Sequence, residues 1–229
     1  MAKDFNSPQV VESYDAHIRK LIPGYELVHQ QIQAVLNCHV AEDAHVLIIG
    51  CGTGYELGYL MALNPTWSFT VTELSENMLN QTRQRVEAAG QLHRVNFILG
   101  SHTAFEQLSC FDAVLSILVT HFIALSEKTN FLAKAFELLK PQGIFLSFDL
   151  MQTHSRFEQY VLPEFCKMQG LSASQATKMM QRLEDDFELI SQQYYQSLLT
   201  EIGFDQIYCF SQIFSYAAYS AFKTSIELK

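Results

Sequence analysis

The sequence predicts a doubly wound α/β fold, in which helices cover both faces of a mostly parallel sheet. Over residues 45–150, short apolar runs that end at glycine or acidic residues alternate with segments of helical periodicity. Strands that alternate with helices in this way are joined by right-handed crossovers, which makes the strands parallel. Two further apolar runs near the end are rich in Tyr and Phe and are separated by a short turn, which is typical of an antiparallel hairpin. We therefore expect seven strands in one sheet.

The predicted elements follow from local patterns. Helical spacing of apolar residues covers most of the first 40 residues, and Pro23-Gly24 splits this stretch into two helices. The predicted strands are 45–49, 67–73, 95–99, 111–119, 144–150, 206–214 and 217–223. The other predicted helices follow Gly54, begin at the N-cap Ser75, begin at Ser126, and cover about 154–190 and 194–202.

This order divides a single domain into four segments. Residues 1–44 form an N-terminal helical cap, and 45–150 form a ligand-binding core. Residues 151–190 form a helical insertion after the fifth strand, and 191–229 supply the last helix and the closing hairpin. Because the insertion follows a strand end that carries ligands, we expect it to form a lid over the site.

Composition and charge limit the possible partners. At 48% apolar residues the chain is too hydrophobic to be disordered, and no run of roughly 18 apolar residues predicts a membrane span. The first residues lack the apolar centre of a signal peptide, and the five cysteines form no CxxC pair, so we expect a cytoplasmic protein with reduced cysteines and no metal site. A net charge of −9 disfavours nucleic-acid and membrane contact. The partner is expected to be a small molecule, with a homodimer as a further possibility.

The main ligand-binding motif follows the first strand. Gly50, Gly52 and Gly54 alternate with Cys51 and Thr53, and glycines without Cβ let the backbone approach a ligand closely. The second strand ends at Glu73, whose carboxylate can accept two hydrogen bonds from vicinal ribose hydroxyls. Both motifs lie at the carboxyl ends of strands, so they predict a ligand that contains adenosine.

The spacing of the glycines argues against two nucleotide classes. A dinucleotide fingerprint has a third glycine near the pyrophosphate, where this chain has Tyr55. A phosphate-binding P-loop is excluded, because the lysine that such a loop requires is absent. A NAD-dependent oxidoreductase is thus disfavoured, and a ligand without pyrophosphate is favoured.

These segments resemble class I S-adenosylmethionine (SAM) methyltransferases, which have a Rossmann-like sheet. VLIIGCGTGYELGYL and VTELSENML are similar to the glycine loop and acidic strand end of that superfamily. FDAVLSILVTHF, LLKPQGIFLSFD and the terminal hairpin that begins at Gly203-Phe204 are similar to its later parts, in the same order. The resemblance covers about residues 10–223 and implies SAM as cofactor, with S-adenosylhomocysteine (SAH) as product.

The resemblance also assigns roles to individual residues. The expected cofactor-binding residues are Gly50, Cys51, Gly52, Gly54, Glu73, Leu74, Ser101, His102, Ser116 and Tyr25, with Tyr14 as a weaker candidate than Tyr25. Ser101 and His102 stand where the superfamily often has an acid beside the adenine. His121, just after the fourth strand, is the candidate catalytic base, and Asp149 at the end of the fifth strand faces the same edge. Packing roles for both histidines remain open.

Within the superfamily, LIPGYELVHQQI and the chain's last part look similar to carboxy-SAM synthases, which act indirectly in tRNA wobble modification. That branch is expected to have an arginine shortly before the terminal Gly-Phe, but residues 196–204 contain no basic residue. It also has an asparagine where this chain has Ile117. We therefore expect ordinary methyl transfer to a small molecule, with carboxy-SAM synthesis and a non-catalytic SAM-binding or oligomerisation module as alternatives. The sequence leaves open whether the acceptor atom is O, N, C or S.

Overall fold

The computed structural model describes residues 7–152 and 155–224, so the predicted segments 1–44, 151–190 and 191–229 each contain residues outside the described ranges. The helices are α1 (Pro8–Leu21), α2 (Tyr25–His39), α3 (Tyr55–Leu63), α4 (Glu76–Ala88), α5 (Leu125–Leu138), α6 (Arg156–Met168), α7 (Ala173–Asp185) and α8 (Gln192–Ile202). The strands are β1 (His45–Ile49), β2 (Ser68–Glu73), β3 (Val95–Leu99), β4 (Phe111–Ile117), β5 (Leu139–Leu150), β6 (Asp205–Ile213) and β7 (Tyr216–Phe222).

The strands form one seven-stranded sheet in the order β3-β2-β1-β4-β5-β7-β6. Strands β1 to β5 pair in parallel, and β7 runs antiparallel between β5 and β6. This confirms the predicted sheet and its C-terminal hairpin. The strand order reverses between β1 and β4, which opens a crevice at their carboxyl ends, where doubly wound sheets bind ligands.

Helices cover both faces of the sheet because β1 is apolar on both sides. Val46 and Ile48 pack in one core with residues of α1 to α4, whereas Leu47 and Ile49 pack in a second core with α5 and α8. All four side chains are at most 3% exposed. The central strand is thus held from both sides, and the loop that follows it starts from a fixed position.

Two strand boundaries differ from the prediction by more than one residue. Strand β4 ends at Ile117 instead of 119, because Leu118 adopts a left-handed φ of 58° and a 3₁₀ turn follows over Thr120–Phe122. Strand β5 begins at Leu139 instead of 144, because Leu139 pairs with Phe111 before a bulge. Both differences depend on contacts between strands that are distant in sequence.

The helical segments at either end of the core are each broken once. Gly24, with a φ of 71°, separates α1 from α2 as predicted. The stretch predicted as helical at about 154–190 contains α6 and α7, separated by Gly170 at a φ of 99° and restarted by a capping box at Ser172 and Gln175. Helix α7 ends at Asp185 instead of 190, and residue 154 lies outside the described residues. Within the ranges that the structure describes, no helix is long and apolar enough to cross a membrane.

Candidate functional site

The glycine loop after β1 keeps a left-handed backbone at all three glycines. The φ angles of Gly50, Gly52 and Gly54 are 68°, 54° and 77°, a region that side chains with Cβ rarely adopt. The backbone N–H of Cys51 donates to the Thr72 carbonyl at 3.0 Å, and the Thr82 hydroxyl donates to the Gly52 carbonyl at 2.8 Å. Strand β2 and helix α4 therefore hold the loop in place.

The three glycines have different surroundings. A Cβ on Gly50 would lie 2.7 Å from a methyl of Val119, and one on Gly54 would lie 2.8 Å from the methyl of Thr82. A Cβ on Gly52 would meet no atom within 4 Å. Gly50 and Gly54 are thus required for close packing, whereas Gly52 borders open space.

The carboxylate of Glu73 is held in position by backbone amides. The N–H of Gly52 donates to Oε2 at 3.0 Å, and the N–H groups of Leu74 and Ser75 each donate to Oε1 at 2.9 Å. Each carboxylate oxygen retains acceptor capacity beyond these bonds. The glycine loop and the acidic strand end are therefore directly bonded and form a single polar cradle.

A cavity of about 500 Å³ lies over this cradle, and we call it the cofactor cavity. Of the predicted cofactor-binding residues, it is lined by Gly50, Gly52, Glu73, Leu74, Ser101 and His102. Its other lining residues are Tyr14, Ile49, Thr72, Ser75, Met78, Gly100, Ile117, Leu118, Val119, Phe122, Ile123 and Phe131. Its size is in the range of small-molecule sites, roughly 300–1,000 Å³.

Four predicted residues are not in the lining, and their contact with the cofactor stays a prediction. Cys51 is buried, and its backbone N–H donates to the Thr72 carbonyl of β2. Gly54 packs on Thr82. Ser116 is fully buried within β4. Tyr25 stacks with the rings of His29 and Tyr55, at 4.6 and 5.3 Å between centroids.

Tyr14, the weaker candidate, takes the place expected for Tyr25. It lies on α1 and lines the cofactor cavity, and burial raises the pKa of its hydroxyl. The carboxylate of Asp15, next to it, accepts a hydrogen bond from the Thr53 hydroxyl at 2.5 Å and pairs with Arg85. These contacts fix α1 against the glycine loop. Sequence periodicity did not show which face of α1 would turn inward.

The sequence predicts that His102 lies beside the adenine, and the structure places it, fully buried, in the lining of the cofactor cavity. It is 0% exposed, its ring packs edge-on against Phe131, and Nε2 donates to the Phe131 carbonyl at 2.9 Å. Burial lowers its pKa to about 4, so the ring is neutral at physiological pH. A neutral ring that donates from Nε2 has an acceptor at Nδ1, and this buried atom has no partner among the described residues.

A second cavity of about 320 Å³ adjoins the first, beneath α7, and we call it the lid cavity. Tyr14, Leu118 and Phe122 line both cavities. The other lining residues of the lid cavity are His17, Ile18, Leu21, Ile22, His121, Leu150, Gln175, Lys178, Met179, Arg182, Leu183, Phe187 and Tyr216. Residues from α1 and α7 thus line one side of this cavity, and whether α7 acts as the predicted lid stays a prediction.

His121 and Asp149 form a hydrogen-bonded pair at the wall of the lid cavity. The Nδ1 of His121 bonds to Oδ1 of Asp149, and both residues are buried. Asp149 also accepts from the N–H of Thr120 at 2.5 Å and from its own neighbour Leu150 at 2.8 Å, so it remains an acceptor for His121. The Nδ1–H of the imidazole is thereby oriented to the carboxylate, which places the basic lone pair on Nε2.

Lys128 supports the turn that carries His121, and sequence reasoning did not identify it. Its buried ammonium donates to the carbonyls of Thr120 and Ile123 at 2.7 and 2.6 Å. Burial lowers the pKa of this lysine, while the charge of Asp149 opposes that shift. Because the lysine is apolar along most of its length and sits in an ordinary helical pattern, the sequence contains no signal for this role.

Comparison with known proteins agrees with this geometry. Residues 47–145 match the model of the family described as "Methyltransferase domain". A carboxy-S-adenosyl-L-methionine synthase of Desulfotalea psychrophila is 24% identical over 226 residues, covering 96% of this chain and 91% of that protein. The same enzyme of Campylobacter concisus is 25% identical over 230 residues, covering 97% and 96%.

Solved structures share the fold. A protein of Methanococcus maripaludis, described as an S-adenosyl-L-methionine-dependent methyltransferase, matches with a TM-score of 0.69 and 18% identity, covering 100% of this chain and 98% of its own. Geranyl diphosphate C-methyltransferase of Streptomyces coelicolor, in complex with S-adenosyl-L-homocysteine, matches with a TM-score of 0.61 and 10% identity, covering 85% and 76%. At these identities the likeness concerns the fold.

Proposed function

We propose that this chain is a class I S-adenosylmethionine-dependent methyltransferase and that it transfers a methyl group from SAM to a small-molecule acceptor held in the lid cavity. The observation that carries this proposal is the adjacency of the two cavities. One is lined by Gly52 and Glu73, the other by His121, and they share the wall of Tyr14, Leu118 and Phe122.

The residues of the cofactor cavity fit SAM. Gly52 borders the open space that a Cβ would partly fill, and Glu73 is held in reach of ribose hydroxyls. The orphaned Nδ1 of His102 is an acceptor of the kind that the exocyclic amine of adenine requires. No lysine or arginine lines this cavity among the described residues, which suits a cofactor that carries its own sulfonium charge.

When bound, SAM supplies a methyl group that is already strongly electrophilic, so the chain mainly needs to orient the acceptor and exclude water. His121 lines the cavity from the turn after β4, with the basic lone pair at Nε2. It is placed to take the proton of an acceptor O–H or N–H as the new bond to carbon forms. Asp149 holds the ring and stabilises the imidazolium that results.

The lid cavity has a volume of about 320 Å³, which is the size of a small-molecule site and favours a small acceptor over a macromolecule. We also propose that the protein is cytoplasmic, on the basis of cysteines that form no CxxC pair. Its net charge of −9 supports the further proposal that it does not contact nucleic acid or membranes directly. Membership of a homodimer remains a prediction, which size-exclusion chromatography with light scattering tests directly.

Carboxy-SAM synthesis is the second candidate, favoured by the full-length similarity to curated synthases. The missing arginine before Gly203 counts against it, and α8 provides no substitute. Tyr195, Leu198 and Leu199 of α8 pack in the core with α5, away from the lining of either cavity. A non-catalytic module gives no reason for the buried His121–Asp149 pair at the cavity wall.

Two measurements separate these candidates. Calorimetry with SAM, SAH and NAD is expected to detect binding of both sulfur compounds and none of NAD, and failure of SAM and SAH to bind contradicts the proposal. Mass spectrometry of the ligand that remains on the purified protein is expected to identify SAM or SAH. Recovery of carboxy-SAM in its place would establish the second candidate.

A further inference from the structure

The charge distribution in the lid cavity is opposite to that of the protein. The chain contains 24 Asp and Glu against 15 Lys and Arg, yet no Asp or Glu is among the described residues that line this cavity. Four basic side chains line it: His17, His121, Lys178 and Arg182. An acidic protein thus lines the cavity proposed for the acceptor with basic groups, and the carboxylates that pair with His121 and Arg182, those of Asp149 and Asp186, lie outside the lining.

Two of these groups lie on the same face of the lid. Lys178 and Arg182 are four residues apart on α7, which places them one turn apart along the helix. The Nε of Arg182 donates to Asp186 at 2.7 Å, which fixes the guanidinium in position. Asp186 uses only the Nε edge, so the two terminal nitrogens keep their donors for another acceptor.

The rest of the cavity suits a flat apolar body. Phe122, Phe187, Tyr14 and Tyr216 contribute four aromatic rings to the lining. The centroid of Phe187 is 4.8 Å from the His121 ring and 5.7 Å from the guanidinium carbon of Arg182. One aromatic ring therefore separates the candidate base from the Arg182 guanidinium, and an acceptor of similar length can reach both.

From these observations, and on the basis of the proposed function, we infer that the acceptor is an anion: an aromatic or similarly flat molecule with a carboxylate at one end and the nucleophilic group at the other. Lys178 and Arg182 bind the carboxylate, and His121 faces the nucleophile. A carboxylate between the exposed Lys178 and the half-buried Arg182 would form charge-assisted hydrogen bonds, which are stronger than those between neutral groups.

Matched neutral and anionic probes test this inference. The probes are 4-hydroxybenzoate against 4-hydroxybenzamide, and 3-(4-hydroxyphenyl)propionate against its amide, which differ in charge and little in size. Each is titrated into the wild-type protein saturated with SAH. We expect at least one carboxylate to bind about tenfold more tightly than its amide, or better, as loss of a charge-assisted bond implies.

Variants connect the preference to the two residues. Lys178→Met and Arg182→Met are each expected to lose most of the carboxylate preference while their affinity for SAH stays within about twofold of wild type, which also shows that they fold. Lys167→Met is the matched control, because Lys167 lies on α6 outside the cavity lining. It is expected to keep the full preference.

The inference is overturned by equal or tighter binding of the amides, by a preference that survives in both variants, or by a panel in which no carboxylate binds at millimolar concentration. These outcomes are distinct from failure of the proposed function. If SAH itself does not bind to the wild type, the methyltransferase assignment fails; if SAH binds and the amides are preferred, only the anionic acceptor is excluded.

Discussion

His121 bonds through Nδ1 to the carboxylate of Asp149, across the carboxyl ends of β4 and β5. The two residues are 28 positions apart in sequence and meet because these strands are parallel neighbours. Asp149 is surrounded by backbone donors from the same turn, so the pair and the turn stabilise one another.

Replacing the base gives the most direct test of this pair. With an acceptor that the protein methylates, His121→Ala is expected to lower kcat by ~10²–10⁴, because proton removal by a positioned base contributes about that factor. The affinity for SAH, measured by calorimetry, is expected to stay unchanged, since His121 lies outside the cofactor cavity lining. A variant with wild-type kcat would show that the acceptor needs no base.

Removing the carboxylate of Glu73 tests the ribose contact. Glu73→Ala is expected to weaken SAH binding by about 1–3 kcal/mol, as for loss of hydrogen bonds to a charged group. Glu76→Ala is the matched control, because Glu76 is exposed in the first turn of α4 and absent from the cavity lining. Calorimetry that gives the same Kd for both variants would remove Glu73 from the site.

Gly52 and Gly90 offer a paired test of the open space over the loop. Both have a positive φ, 54° and 68°, and a Cβ on either would meet nothing within 4 Å. Ala substitution is therefore expected to cost each about the same free energy of unfolding, roughly 1 kcal/mol of backbone strain. Only Gly52 lines the cofactor cavity, so only Gly52→Ala is expected to lose SAH binding, by about tenfold or more. Equal binding by both variants would contradict the cradle.

The buried neutral ring of His102 makes stability depend on pH. Its folded pKa is about 4, below the ordinary value of 6.5, so the unfolded chain binds the proton more readily. Its contribution is fully present above about pH 6.5 and is lost as pH falls toward about 4, with a slope approaching ~1.4 kcal/mol per pH unit.

Urea denaturation between about pH 4.5 and 7 measures this slope. His102→Asn is expected to show a flatter pH dependence than wild type, whereas His93→Gln, at an exposed position, is expected to follow wild type. If His102→Asn followed the pH dependence of wild type, the folded protein would bind the proton of His102 as readily as the unfolded chain does.

Much of the fold could be predicted because it depends on local patterns. Apolar runs such as 45–49, glycines at the breaks and the N-cap Ser75 all act within a few residues, and the structure has each of them. The end of β4 was not predictable in the same way. The left-handed backbone of Leu118 is held in part by its N–H, which donates to the Phe148 carbonyl of the neighbouring strand at 2.7 Å. A local sequence pattern contains no information about that hydrogen bond.

The candidate site likewise contains residues that local patterns predict and residues that only tertiary packing places. Gly52 and Glu73 were predictable because their spacing along β1 and β2 is set by the motif itself. The choice of Tyr14 over Tyr25 depends on how α1 rotates against the loop, which Asp15, Thr53 and Arg85 determine. The basic pair on α7 was missed because only the packing of the insertion shows which of its charged residues turn inward.

The wall that Tyr14, Leu118 and Phe122 share between the cavities has a thermodynamic consequence. We expect a ligand in either cavity to restrict these side chains for the other, which would link the two binding equilibria. Linkage is reciprocal: whatever factor SAH adds to the affinity for an acceptor, that acceptor adds to the affinity for SAH. An unknown acceptor can therefore be sought without observing turnover, as a compound that lowers the Kd of the protein for SAH.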